Sequence, residues 1–156
     1  METLARNGTS CHTTLRVTTR QPTEFIDLTD RLQRYVAETG VRSGILNVQP
    51  LHTTTAIVVN EHEPRLLIDF MALLETAVPD DGTYRHDDPN TGVSFAEPER
   101  PNGHAHCRAL LLPSSACLNV TGGKLWLGRW QRVFLVELDG PREREISVVL
   151  YGDAGQ

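Results

Sequence analysis

The feature that most constrains the fold is a succession of short apolar segments in the last third of the chain. Their composition and alternation predict strands over residues 115–120, 124–128, 131–138 and 144–151. The intervening Gly122-Gly123 and Gly140-Pro141 pairs are typical of turns. Because short connections join neighbouring strands in opposite directions, this part of the chain predicts a largely antiparallel sheet.

The first two thirds of the chain mix strands with helices. Further strands are predicted over residues 12–19, 43–49 and 53–60. One helix is expected to begin after Thr23 as its N-cap and to end at Gly40, and a second to lie between Pro64 and Pro79. A short third helix is expected at about residues 103–112. The pattern therefore predicts an α+β fold with two main helices and one short helix.

The length of 156 residues favours a single domain over residues 1–156. Residues 1–10 are expected to be flexible. Residues 79–101 contain four prolines and two glycines and are expected to form a long loop. A loop of that length inside a small domain is either functional or disordered.

Charge and composition exclude several classes of protein. The net charge of −5 argues against nucleic-acid binding, which depends on basic residues that neutralise phosphates. No apolar run approaches the ~18 residues that cross a bilayer, and METLARNGTS lacks the apolar segment of a secretory signal. The three cysteines form no CxxC pair. We therefore expect a cytoplasmic protein that binds neither nucleic acid nor membrane.

Four of the six histidines lie in polar segments next to turns, namely His52, His86, His104 and His106. Three imidazoles and one open coordination position are typical of catalytic zinc sites. On a helix, His104 and His106 would diverge by roughly 200°, so only His106 is expected to face inward. Since no HExxH-type signature is present, the alternative of ordinary surface histidines stays open.

Acidic residues surround the predicted start of the second helix. Glu61, Glu63 and Asp69 could supply a general base or orient a metal-bound histidine. The alternative is that they cap the helix and compensate its dipole.

The strand over residues 131–139 carries polar side chains at both ends of one face. Gln131, Glu137 and Asp139 share that face by the two-residue period of a strand. Arg142 follows the turn at a distance that permits a guanidinium–carboxylate pair with Asp139. Arg142 therefore either binds an anionic substrate or locks the turn.

Five segments, in this order, resemble the YjbQ family, whose members are described as secondary thiamine-phosphate synthases. The segments are HTTTAIVVNE (52–61), YRHD (84–87), NGHAH (102–106), LGRWQ (127–131) and ELDGPR (137–142). The resemblance extends from about residue 12 to residue 151. It implies a single-domain α+β fold, a homotrimer, and a site in which histidines gather around a divalent metal ion, for which we predict zinc.

By position, His52, His86 and His106 match the family's histidines and are the predicted metal ligands. Its other motif positions carry Asn60, Glu61, Asp69, Trp130, Gln131, Glu137, Asp139 and Arg142. Among these we predict catalytic roles for Glu61, Asp69, Gln131 and Arg142. The chain departs from the family at His104, Pro113 and Arg129, and His104 is therefore not expected to be an essential ligand.

The resemblance and the residues leave three hypotheses of function. The first is transfer of a pyrimidine-methyl group to a thiazole phosphate with release of pyrophosphate. The second is metal-dependent hydrolysis of a phosphate ester, with Glu61 or Asp69 accepting the proton. The third is a non-catalytic protein that binds a small anion or a metal ion. The first two predict a small phosphorylated substrate, although the chain has no glycine-rich phosphate loop.

Overall fold

The computed structural model describes residues 8–89 and 100–154, which form two antiparallel sheets and three α-helices. In chain order the elements are β1 (Thr9–Thr18), β2 (Glu24–Asp27), α1 (Thr29–Thr39), β3 (Ser43–Pro50), β4 (Thr55–Glu61), α2 (Pro64–Ala77), one turn of 3₁₀ helix (Arg85–Asp87), α3 (Gly103–Leu111), β5 (Ala116–Thr121), β6 (Lys124–Leu125), β7 (Gln131–Glu137) and β8 (Glu143–Asp153). The predicted α+β fold with two main helices and one short helix is confirmed.

Both sheets are antiparallel throughout. The larger has five strands in the order β1-β8-β3-β5-β6, and the smaller has three in the order β2-β7-β4. Strand β7 is thus the centre of the small sheet, and β8 lies inside the large one. The turn at Gly140-Pro141, whose peptide bond is cis, connects β7 of the small sheet to β8 of the large sheet.

The two faces of β7 pack into different apolar clusters. One face joins the larger cluster with side chains of the five-stranded sheet and α1, such as Val133, Leu135, Leu46, Val148 and Leu32. The other face packs with α2 and α3 through Val136, Leu138, Leu74 and Ala105. The small sheet therefore lies between the large sheet on one side and α2 and α3 on the other. Each fully buried aliphatic side chain contributes roughly 1.5–3 kcal/mol.

The first helix begins later than the sequence predicts. Residues Glu24–Asp27 form β2, which pairs with β7, and α1 begins only at Thr29. The apolar residues whose spacing predicts one continuous helix belong partly to β2 and partly to α1. The side chain of Asp27 accepts the N–H of Thr29 at 2.8 Å, where Thr23 was expected to cap. Gly40, with φ of 74°, ends the helix as predicted.

Three further segments differ in extent from the prediction. The strand expected over residues 124–128 is confined to Lys124–Leu125. Strand β1 begins at Thr9, so Thr9 and Ser10 belong to a strand, and residues 1–7 of the segment predicted to be flexible lie outside the described residues. The predicted long loop includes the 3₁₀ turn, and its residues 90–99 also lie outside the described residues.

Helix α2 starts at Pro64 as predicted, but much of its apolar surface is exposed. Leu74 is its one buried residue, whereas Ile68, Met71 and Leu73 are 40–65% exposed. None of the helices in the described part of the chain combines the length and apolarity that spanning a bilayer requires.

A buried ion pair joins the two sheets. Glu137 at the end of β7 is fully buried and accepts Nε of Arg144 on β8 at 2.6 Å and its Nη2 at 2.5 Å. The N–H groups of Leu138 and Asp139 donate to the same carboxylate at 2.9 and 2.8 Å. Nη2 of Arg144 also donates to the hydroxyl of Thr54 at 3.0 Å. Both charges are therefore paired and hydrogen-bonded in the interior, as buried charges must be.

We predict that Glu137→Gln lowers the free energy of unfolding by about 3–5 kcal/mol, because it leaves the buried Arg144 cation without its counter-charge. Urea denaturation followed by circular dichroism measures this. The matched control is Arg16→Gln, which breaks the exposed Arg16–Glu145 pair and should cost less than about 1 kcal/mol. Equal losses in the two variants would contradict the structural role assigned to the buried pair.

Candidate functional site

A cleft of about 460 Å³ lies between the turn that follows β3 and helix α3. Its lining consists of Gln49, Pro50, Leu51, His52, Thr53, Thr55, His106, Ala109, Leu110 and Ser114. Two of the three histidines predicted to bind metal are therefore in one cleft. None of the described residues that line it is acidic, and its hydroxyls, amide and imidazoles are groups that can donate hydrogen bonds to an anion.

His52 continues the hydrogen-bond ladder between β3 and β8 with its side chain. The N–H of Leu51 donates to the carbonyl of Glu145 at 2.9 Å, and the N–H of Glu145 donates to Nε2 of His52 at 2.8 Å. The imidazole thus accepts a hydrogen bond from β8 that a backbone carbonyl would accept if the ladder continued. Burial, followed by the nearby Arg144 cation, lowers the pKa of His52 below the ordinary imidazole value.

His86 and His106 contact each other. Their ring centroids are 4.8 Å apart, and the ring planes meet at 69°. The neighbouring Asp87 accepts the N–H groups of Asn102 and Gly103, both at 2.9 Å, and so caps the start of α3. The segments YRHD and NGHAH are therefore packed together, with one histidine from each at the contact.

Gly103 is required by this close packing. A Cβ atom at Gly103 would lie 2.5 Å from Cβ of Tyr84, which is closer than real side chains approach. Any larger residue would push the 3₁₀ turn away from α3, and His86 with it.

His104 faces a different cleft from His106. Helix α3 contains both residues, which confirms the predicted helix and the divergence of the two rings. His104 lines a second cleft of about 310 Å³ together with Arg100 and Asp139, and its ring lies 6.3 Å from that of Tyr84. It is therefore separated from the cleft that His52 and His106 share.

The predicted pair between Arg142 and Asp139 is present. Nη2 of Arg142 donates to Asp139 at 2.7 Å, Arg100 donates through Nε at 3.0 Å, and Asn102 donates through its amide at 3.1 Å. Burial alone would raise the pKa of Asp139, but hydrogen bonds from Asn102 and Arg142 outweigh it and lower the pKa below the ordinary value. In this arrangement Arg142 locks the turn. It does not line the cleft of His52.

The other three residues predicted to be catalytic lie elsewhere in the chain. Glu61 on β4 and Gln131 on β7 are register partners. They lie at the end of β4 that is farther from His52, about 20 Å along the strand. The side chain of Gln131 accepts the N–H of Gly128 at 2.8 Å, and Asp69 is exposed on α2. Within one copy of the chain these residues do not reach the cleft, and their catalytic roles stay predictions. Glu63 caps α2 by accepting the N–H of Leu66 at 2.8 Å.

The three histidines do not present their nitrogens as one ligand group within a single copy of the chain. Across the described residues, the only group of three or more histidine, cysteine or carboxylate side chains with ligand atoms mutually within 4.8 Å is Glu75, Asp80 and Asp81, all exposed. Nε2 of His52 is already engaged by the N–H of Glu145. The metal prediction therefore rests on His86 and His106 more than on His52.

Arg144 and Thr54 were not singled out from the sequence, although one signal pointed to Arg144. By strand parity Arg144 shares a face with Ile146 and Val148, and an arginine on the inward face of a strand needs a buried partner. Glu137 is likewise a charged residue at the end of an apolar strand face. Glu137 and Arg144 pair with each other.

Comparison with known proteins gives close relatives over nearly the whole chain. A UPF0047 protein from Methanothermobacter thermautotrophicus is 40% identical over 138 residues, which cover 88% of this chain and 90% of that protein. A UPF0047 protein from Archaeoglobus fulgidus is 40% identical over 134 residues, covering 86% and 96%.

Solved structures have the same fold. A YbjQ-like protein of unknown function from Sulfolobus solfataricus superposes with a TM-score of 0.84 at 33% identity, covering 94% of this chain and all of that one. A hypothetical protein from Aeropyrum pernix gives a TM-score of 0.80 at 32% identity, covering 91% and 98%. The family model described as "UPF0047 protein YjbQ-like" matches residues 13–153. The chain belongs to the YjbQ/UPF0047 family.

Proposed function

We propose that the chain is an enzyme that binds a small phosphorylated substrate in the cleft lined by His52 and His106. The observation that carries the proposal is the composition of this cleft, which combines two imidazoles with the hydroxyls of Thr53, Thr55 and Ser114 and has no acidic residue among its described lining. Such donors favour oxyanions over cations. A volume of about 460 Å³ is in the range of small-molecule sites.

The chemistry assigned to the cleft is proton transfer by imidazole. Histidine exchanges protons near neutral pH and is the most frequent general acid or base. His106 is held on a helix and in contact with a second imidazole, His86, so it is oriented before substrate arrives. We assign the general acid–base role to His106.

The reaction that fits the family resemblance is synthesis of thiamine phosphate. In that transfer the bond between the pyrimidine methylene carbon and the diphosphate oxygen breaks, and the thiazole nitrogen forms the new bond to carbon. Pyrophosphate leaves with the electron pair and gains negative charge as it does so. Hydrogen-bond donors aimed at the leaving group stabilise that charge.

The second candidate reaction is hydrolysis of a phosphate ester. The His86–His106 contact favours it, because one imidazole could take a proton from water while the other stabilises the charged ring that results. The third hypothesis, binding of a small anion without turnover, predicts the same cleft and no product.

As an alternative to acid–base catalysis by His106, a divalent metal ion, for which we propose zinc, would be held by His86 and His106. With Zn–N bonds of about 2.0–2.1 Å, the centroids of two imidazoles on one zinc ion lie roughly 5 Å apart. The observed separation of 4.8 Å fits two such ligands. His52 does not fit as a third ligand through Nε2, since a metal ion and the N–H of Glu145 would compete for the same lone pair. Bound zinc would supply Lewis acidity beside the cleft.

We also propose that the chain forms a homotrimer through the outer face of the five-stranded sheet. Ile45 on β3 and Tyr151 on β8 are register partners on that face and are 47% and 55% exposed. Their neighbours Asn47, Val149 and Ser147 carry no charge. The charged residues Glu145 and Asp153 lie at the two ends of this stretch of β8, and an exposed apolar patch bordered by polar or charged groups is typical of contact surfaces between subunits. Gln49 belongs both to this face and to the cleft, so a second copy would border the substrate.

We predict that His106→Ala lowers turnover by roughly 100-fold or more, because general acid–base catalysis contributes about 10²–10⁴ to a rate. The matched control is His104→Ala, on the same helix but in the other cleft, which should retain most activity. The assays are pyrophosphate release from the pyrimidine diphosphate with thiazole phosphate, and hydrolysis of p-nitrophenyl phosphate. Full activity of His106→Ala would contradict the role, and pyrophosphate binding without turnover would favour the binding protein.

For the metal, we expect His86→Ala and His106→Ala each to weaken zinc binding at least 10-fold, as loss of one of two ligands should, while His52→Ala leaves it unchanged. Isothermal titration calorimetry with zinc chloride measures the affinity, and His104→Ala controls for removal of a nearby imidazole. Equal losses at His52 and His106 would instead restore the three-histidine site.

For the assembly, light scattering should give a mass of three times 17.4 kDa. Val149→Arg places a charge at the centre of the proposed contact face and should shift the mass towards one copy. Leu73→Arg, at a side chain on α2 that is 65% exposed and lies outside both that face and the cleft, is the control and should leave the trimer intact. A parent chain of 17.4 kDa at micromolar concentration would count decisively against the trimer.

A further inference from the structure

The side chain of His52 is held by a backbone donor, and this determines which of its nitrogens can act. A peptide N–H only donates, so Nε2 of His52, which lies 2.8 Å from the N–H of Glu145, must offer its lone pair. Turning the ring by 180° would place the C–H of Cε1 against that N–H instead. The neutral ring therefore carries its proton on Nδ1.

The backbone that fixes this arrangement is itself held from both sides. On one side of Glu145, the side chain of Arg144 is locked by Glu137 and Thr54 in the interior. On the other side, Ile146 is fully buried in the larger apolar cluster. The carbonyl of Glu145 also accepts the N–H of Leu51, the residue before His52. The donor that engages Nε2 therefore has little freedom to move away.

The remaining polar atom of the ring is Nδ1. The ring lines the cleft, and no protein group in the described part of the chain is hydrogen-bonded to Nδ1. An imidazolium would carry N–H groups on both nitrogens, so acceptance of the Glu145 N–H by Nε2 requires the neutral ring, with one donor and one occupied acceptor. Burial and the Arg144 cation lower the pKa of His52, which acts in the same direction.

We infer that His52 is a substrate-binding residue that donates one hydrogen bond from Nδ1 to an anionic oxygen in the cleft. Resting on the proposed function, this gives His52 a part different from that of His106. With its lone pair occupied, His52 neither ligates a metal ion through Nε2 nor accepts a proton from substrate. It recognises an acceptor oxygen, such as one of a phosphate or diphosphate group, and rejects a donor in the same place.

Two substitutions separate the nitrogens of His52. The amide of His52→Asn lies near the position of Nδ1 and can still donate into the cleft. The longer His52→Gln places its amide oxygen near the position of Nε2, where it can accept from Glu145 but leaves the Nδ1 position empty. With inorganic pyrophosphate as the probe, calorimetry should show a Kd within about 3-fold of the parent for His52→Asn. A rise of roughly 10- to 100-fold is expected for His52→Gln, the value of one hydrogen bond to a charged group. Thermal melts establish that both variants are folded.

The tautomer is measured directly, and without any ligand, by long-range ¹H–¹⁵N correlation spectra of the histidine-labelled parent chain. The His52 signals are assigned by their loss in His52→Asn. Protonated Nδ1 with unprotonated Nε2 is the expected result, and protonated Nε2 would overturn the inference even if pyrophosphate binds. Equal weakening in both variants would overturn the donor role. Failure of the parent to bind pyrophosphate would remove the proposed function together with that role, while leaving the tautomer measurement as it stands.

Discussion

The ion pair between Glu137 and Arg144 is the interaction on which the rest of the structure depends. It joins the central strand of one sheet to an interior strand of the other, in a place where neither charge could remain without its partner. The same carboxylate accepts two N–H groups of the turn that leads into β8. The backbone that follows Arg144 then holds His52. Arg144, one member of the buried ion pair, thus directly precedes Glu145, whose N–H binds His52 in the candidate site.

Local features of the fold could be predicted from the sequence because few residues determine them. Gly40 ends α1 in the left-handed conformation, and the turn before β8 brings Asp139 and Arg142 together. The two-residue period of β7 placed Glu137 at the end of an apolar face. Strand β2 was mistaken for the start of a helix because Glu24–Asp27 forms a strand only through its pairing with β7. That pairing is tertiary and leaves no local pattern.

Contacts between segments that are far apart in the sequence could not be predicted, although the sequence analysis singled out the histidines that make them. His86 meets His106 because Asp87 caps the start of α3, and the 3₁₀ turn packs closely on that helix. The role of His52 depends on a single peptide N–H of another strand, which no side-chain motif encodes. Family resemblance singled out His52, His86 and His106 and implied that they share one metal ion. Within one copy of the chain, His86 and His106 form a contacting pair, and His52 is held separately.

The most direct test of the proposed cleft is a crystal structure of the chain grown with inorganic pyrophosphate. We expect a pyrophosphate oxygen at about 2.7–3.2 Å from Nδ1 of His52, with the hydrogen bond from Glu145 to Nε2 unchanged and His106 on the opposite side of the anion. Pyrophosphate bound outside the cleft, or a metal ion on Nε2 of His52, would contradict this expectation.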